Sequence, residues 1–132
     1  MRVATKSVFI ACPPRTAFRF LADGANWARW AVHNVLEVHA EGRGAWRLRT
    51  PRGWGRLQIR GNQELGTLDH DFLDPEGSWT VPARVVPVPG GCVFMLTLAQ
   101  PPDMPDAIYP HALALIEDEL SGLSRLLDQC DD

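Results

Sequence analysis

The sequence predicts an α+β domain, a curved seven-stranded antiparallel sheet around one long C-terminal helix, with two short helices after the first strand. Three observations predict it. Between about Val35 and Ala99 the apolar residues recur with a period of two, and turn residues separate one run from the next. From about Pro110 to Leu127 they recur instead at helical spacing, in the longest stretch of that kind in the chain. Two shorter helical stretches lie between the opening strand and the alternating region. A sheet with one apolar face must cover it, and the C-terminal helix is the only element long enough to do so.

The elements follow in order. Residues 3–11 have the β-branched content of a strand, which Pro13 and Pro14 stop. Ala17, Phe18, Leu21 and Ala22 then mark a helix from about Arg15 to Ala22, broken at Asp23-Gly24. Asn26 is placed to cap a second short helix with Trp27 and Trp30 on one face. Strands are expected over 35–41, 44–50, 55–62, 66–73, 79–88 and 92–99. Glu41-Gly42-Arg43-Gly44, Pro51-Arg52-Gly53, Asp74-Pro75-Glu76-Gly77 and Pro89-Gly90-Gly91 supply turn chemistry between them. Pro82 and Pro87 give the strand over 79–88 an edge position or a bulge. After the stiff connector 101–105, Asp106 is placed to cap an early turn of the long helix. Its buried stripe is Ala112, Ile116, Leu120, Leu123 and Leu127, and Glu117, Asp118 and Glu119 lie N-terminal to the solvent-facing positions.

At 132 residues, with 45% hydrophobic and 22% charged residues, the chain suits a single domain over 1–132 with its own core. A net charge of −3 speaks against a dedicated nucleic-acid binder. Cys12, Cys92 and Cys130 are too widely spaced for a metal knuckle and read as free thiols in a reducing compartment, which places the chain in the cytoplasm. No signal peptide or membrane-spanning run is legible. With no metal spacing, phosphate loop or dinucleotide fingerprint, no cofactor is expected.

Particular stretches carry a family resemblance. Residues 7–30, SVFIACPPRTAFRFLADGANWARW, are similar to the opening strand, proline-marked turn and helix pair of the SRPBCC, or START-like, superfamily. Residues 66–71, GTLDHD, then Ala83-Arg84-Val85-Val86 and Gly90-Gly91-Cys92-Val93-Phe94, resemble its polyketide cyclase/dehydrase-like bacterial subgroup. Met95-Leu96-Thr97-Leu98 and the closing helix extend the match over nearly the whole chain. The resemblance implies a helix-grip fold and hydrophobic-ligand binding, with cyclisation or dehydration chemistry in some members. It implies no single activity, because members range from lipid carriers to chaperone activators.

The most informative cluster is Asp69-His70-Asp71. In a strand, Leu68, His70 and Phe72 share one face and the two aspartates the other. If this strand pairs with 55–62 across a turn near Glu64-Leu65, Ile59 falls opposite His70 and Arg60 opposite Asp69. Apolar then meets apolar and cation meets anion. His70 is thereby directed inward, where it can act as a general base, bond a ligand carbonyl, or satisfy a buried backbone group. The non-catalytic readings are favoured, since no second catalytic group stands beside it. Arg43, Arg47, Arg49, Arg52, Arg56 and Arg60 crowd the adjoining strands and read as a solvated outer face, with no aromatic interleaved among them. Trp46 is placed inward, and Trp54 and Trp79 at the rim of a pocket.

The leading expectation is binding of a small hydrophobic, aromatic or polyketide-like molecule in an internal cavity. Its candidate lining is Trp46, Leu48, Leu57, Ile59, Leu68, His70, Phe72, Phe94, Leu96, Ile116 and Leu120. The alternatives are a cyclase or dehydratase with His70 as catalytic base, and an interaction module with a closed core, acting through its outer sheet face or as a homodimer.

Overall fold

The architecture comes from a computed structural model that describes residues 1–128; Cys130 lies outside the described residues. The strands are β1 (Val3–Ile10), β2 (Glu37–Gly42), β3 (Ala45–Thr50), β4 (Gly53–Asn62), β5 (Thr67–Asp74), β6 (Gly77–Val81), β7 (Ala83–Val88) and β8 (Gly91–Ala99). The helices are α1 (Pro14–Ala22), α2 (Trp27–Trp30) and α3 (Tyr109–Leu126), and a 3-10 turn over Gly24–Asn26 precedes α2. All strand pairs are antiparallel, in the order β1-β8-β7-β5-β4-β3-β2, with β6 also on β5. This is the curved sheet around a long C-terminal helix that the sequence predicts.

The predicted strand over 79–88 is in fact two. Pro82 has no N–H for a ladder, and the chain breaks there into β6 and β7. The Asp69 carboxylate accepts the Ala83 N–H at 3.0 Å, and the Pro82 carbonyl accepts from the Thr97 N–H at 2.9 Å. Asp69 therefore secures the break rather than pairing with Arg60. The predicted register of β4 on β5 holds, with Ile59 opposite His70 and Arg60 opposite Asp69. Arg60 reaches diagonally to Asp71, at 2.5 Å.

Local chemistry explains the remaining connections. Pro14 starts α1, where its missing N–H costs nothing. Asp23, not Asn26, supplies the cap after it: its carboxylate accepts the Ala25 N–H at 3.0 Å. Asn26 instead donates to the Phe20 carbonyl and accepts from Arg29. Gly42, Arg43 and Gly44 all have positive φ, which the two flanking glycines adopt without strain and which lets β2 turn tightly into β3. Asp106 accepts from the Gln100 side chain at 2.8 Å, so it shapes the connector instead of capping α3.

Helix α3 lies across the inner face and along the edge strand β1. Ser124 donates to the Phe9 carbonyl at 2.7 Å, and Lys6 pairs with Glu117. At its start, the buried Tyr109 hydroxyl donates to the Leu98 carbonyl at 2.5 Å. Leu120, Leu123 and Leu127 are buried against the sheet. Glu119 is buried with them, at 3% exposure. It stands three residues after Ile116 and four before Leu123, and that spacing sets it on the apolar stripe.

Candidate functional site

Between α3 and the sheet lies a cavity of about 90 Å³. Its floor is His70 and Phe72 of β5, Trp79 and Val81 of β6, and Leu96 and Leu98 of β8. Trp27 and Trp30 of α2 close one end, continued by Ala31, Asn34 and Val35. Ala112, Ile116 and Glu119 of α3 form the roof, and Arg52, from the β3–β4 turn, reaches the rim. Asn34, Arg52, Trp79 and Ala112 also line a groove of about 480 Å³ that runs between the β5–β6 turn, the connector 101–105 and the start of α3. These shared residues form the boundary, or throat, between the small inner chamber and the groove.

His70 is the polar group on the floor. Ile59 and Val81 flank it on the neighbouring strands, and the Trp27 ring meets it edge-on at 4.9 Å. Its Nδ1 lies 2.9 Å from the Leu68 carbonyl oxygen. A carbonyl only accepts, so Nδ1 carries the proton. Burial disfavours the charged ring and pushes its pKa down to about 4, against the smaller opposing pull of the Leu68 carbonyl, Asp69 and Asp71. At neutral pH the ring is uncharged, and its Nε2 is an acceptor.

A chain of polar contacts ties the rim together. Glu119 accepts from the His33 backbone N–H at 2.9 Å and from the Asn34 side-chain amide at 3.2 Å. Asn34 Oδ1 accepts from Arg52 at 3.1 Å, and Arg52 pairs with the nearly buried Asp74. Asp118 adds a contact to His33 Nε2 at 2.6 Å. Burial pushes the Glu119 carboxyl above the usual range, and the amides of His33 and Asn34 pull it partly back. Three segments distant in sequence are thus latched together beside the cavity: the α2–β2 loop, the β3–β4 turn and α3.

Of the residues read as lining from the sequence, His70, Phe72, Leu96 and Ile116 border the cavity. Leu48, Leu57, Ile59, Leu68, Phe94 and Leu120 point inward but are packed in the closed part of the core. Trp30 of α2 covers Phe94, whose ring it meets edge-on at 6.0 Å, and Phe18 of α1 lies with Leu68 over Gly61. Trp46 packs against Gly24, where a Cβ would collide with its ring. Trp79 lies at the throat, but Trp54 is on the outer face beneath Arg47, 3.9 Å from ring centroid to guanidinium. Trp54 shares strand parity with Arg56 and Arg60, so an aromatic is interleaved among the outer arginines after all. That face remains largely neutralised, through Arg49–Glu37, Arg56–Glu41 and Arg60–Asp71 pairs. Arg52 leaves that face altogether for the rim. Of the polar lining, sequence reasoning missed Asn34, Arg52 and Glu119, and of the apolar walls Trp27, Val81 and Leu98; only the spacing of Glu119 on the α3 stripe could have revealed one of the polar three.

Among the described residues no three His, Cys, Asp or Glu side chains converge as a metal site requires, and no helix is long and apolar enough to cross a membrane. Cys12 and Cys92 are buried and are not joined as a disulfide, and burial pushes the Cys92 thiol up.

Residues 1–127 match the sequence pattern of polyketide cyclase/dehydrase and lipid transport proteins. The chain belongs to that family. Solved structures agree on the fold. A START superfamily protein from Mycobacterium smegmatis superposes with a TM-score of 0.76 at 12% identity, over 95% of this chain and 96% of that one. A Mesorhizobium loti protein gives 0.74 at 18% identity, over 99% and 100%. The di-domain ARO/CYC BexL of the BE-7585A biosynthetic pathway gives 0.77 at 18% identity, over 95% of this chain and 46% of BexL. At these identities the likeness establishes the helix-grip fold alone. No curated protein matches the sequence. Family and fold together point to ligand-binding or cyclase-type function.

Proposed function

We propose that this chain binds a small hydrophobic molecule, aromatic or polyketide-like, in the cavity beneath α3. The observation that carries the reading is a mainly apolar chamber that shares its rim with an outer groove, in a family of cyclases and lipid transporters. The chamber alone is smaller than the roughly 150 Å³ that holds a benzene in an engineered apolar cavity. A bound ring therefore either widens the chamber slightly or extends through the throat into the groove. Aromatic walls at Trp27, Phe72 and Trp79 favour a flat ligand. Native mass spectrometry of protein purified from its own host, followed by denaturation, should release a stoichiometric small molecule. Ala112→Phe, which fills the throat, should lose that molecule and keep the fold. Retention of the same ligand by this variant would place it elsewhere and refute the reading.

A second reading is a cyclase or dehydratase in which His70 removes a proton α to a carbonyl. It rests on an imidazole acceptor at the cavity floor. Against it stands the lowered basicity of that ring, well below the neutral range in which a general base works best. His70→Ala would then abolish turnover with the fold intact, and undiminished turnover would dispose of it.

A further inference from the structure

His70 shows which end of a ligand goes in first, and what that end must carry. The ring is 4% exposed and borders the cavity. Its Nδ1–H is committed to the Leu68 carbonyl, and its Nε2 makes no hydrogen bond among the described residues. A neutral imidazole has one N–H, so Nε2 presents a lone pair and nothing else. The neighbouring ring, Trp27, cannot satisfy it, because that indole N–H already donates to the Leu21 carbonyl at 2.9 Å. The Trp30 indole N–H is enclosed, so it offers no donor at the cavity surface. The deep end of the chamber thus holds an acceptor among apolar walls, while the free guanidinium donors of Arg52 are confined to the rim.

We propose that the cavity selects ligands bearing a hydroxyl on an apolar ring, a phenol or its alicyclic counterpart, with the O–H donated to His70 Nε2. This rests on the reading of the cavity as a ligand site. A carbonyl or ether oxygen at the same place would set two acceptors against each other, and a carboxylate would add a buried charge without a donor. The polarity is the reverse of a site that grips a carbonyl: it favours the hydroxylated form of a molecule over its ketone or methyl ether. Sites that bond a ligand O–H reject analogues lacking it much more strongly than apolar pockets reject a missing methylene.

The test uses 2-naphthol, 2-methoxynaphthalene and 2-acetylnaphthalene as probes of similar shape, titrated calorimetrically into the wild-type protein and into His70→Leu. The expected result is that 2-naphthol binds the wild type at least about tenfold more tightly than either analogue, a factor equivalent to one hydrogen bond of about 1.4 kcal/mol. In His70→Leu that preference should collapse to within about twofold while 2-methoxynaphthalene still binds, a change that a purely structural role for His70 would not produce. Equal binding of all three by the wild type, or preference for the ketone, overturns the proposal and leaves the cavity reading standing. Binding of none of them overturns both. A hydroxyl preference that survives in His70→Leu also overturns it, because the donor would then be meeting some other group.

Discussion

The depressed basicity of His70 makes a prediction about stability that needs no ligand. In the unfolded chain this imidazole takes a proton near pH 6.5, and in the folded protein only near 4. Above pH 6.5 neither state is protonated at this site, and the native state keeps its full stability. As pH falls below 6.5 the unfolded state gains a proton that the native state refuses, so stability declines until pH 4 and is then level. A tenfold difference in proton affinity is worth about 1.4 kcal/mol, so the whole loss is about 3 kcal/mol, most of it developed by pH 4.5. That is a large fraction of an ordinary domain's stability. His70→Leu removes the titration and keeps an apolar side chain of similar reach beside Trp27 and Ile59. Urea denaturation of both proteins at intervals between pH 7.5 and 4.5 measures the difference. Carboxylates that titrate in the same window, Glu119 among them, contribute to both proteins and largely cancel. The wild type should lose about 2–3 kcal/mol more than the variant across that range. Parallel stability curves would mean that the native ring takes its proton near pH 6.5, as the unfolded chain does, and that burial does not depress its basicity.

Two further predictions concern the cavity rim and the turn that precedes α2. Glu119→Leu strips the His33 amide and the Asn34 side chain of their acceptor, at a cost of about 1–3 kcal/mol, and should speed hydrogen exchange at the His33 amide at least tenfold. Because the Glu119 carboxyl is raised in the folded state, its stabilising contribution is greatest below its unfolded value of 4.5 and declines as pH rises above it. The variant's deficit should therefore be larger at pH 4.5 than at pH 7.5, and the opposite trend would show that the buried carboxyl is not raised. Gly24→Ala puts a methyl into the Trp46 ring and should cost about 1–3 kcal/mol. Added to Trp46→Leu, which makes room, the same change should cost no more than about 0.5 kcal/mol in the denaturation midpoint, and an undiminished cost would locate the clash elsewhere.

The parts of the fold that were legible share a cause. Strand alternation, turn residues and the α3 stripe are all short-range patterns, and so is the pairing of Ile59 with His70 and Arg60 with Asp69 across one hairpin. The inward direction of His70 follows from that register by parity alone. The break at Pro82 was half legible: a proline inside a strand announces an irregularity, but not that Asp69, thirteen residues upstream, would hold the freed amide. Parity also placed Trp54 with Arg56 and Arg60, although the sequence reading looked for an aromatic only in the adjoining strand.

The rim of the cavity was not legible, and for a different reason. Glu119, Asn34 and Arg52 come from a helix, a loop and a turn that no local period connects, and each has a bland local reading as an exposed polar residue. What makes them a unit is that α3 crosses the sheet beside the α2–β2 loop, buries the Glu119 carboxylate and partly buries the donors around it. Such groups must find one another or incur the cost of burial. The same crossing decides which inward residues border free space. Leu48, Leu57 and Ile59 obey the inward alternation as faithfully as His70 and Phe72, yet only the latter two border the chamber. An alternating pattern identifies a face; where that face is left uncovered depends on the bulk packed over it. Here that bulk includes the α2 tryptophan pair, with ring centroids 4.8 Å apart, which closes one end of the chamber, while the space beside Phe72 and Trp79 adjoins the groove.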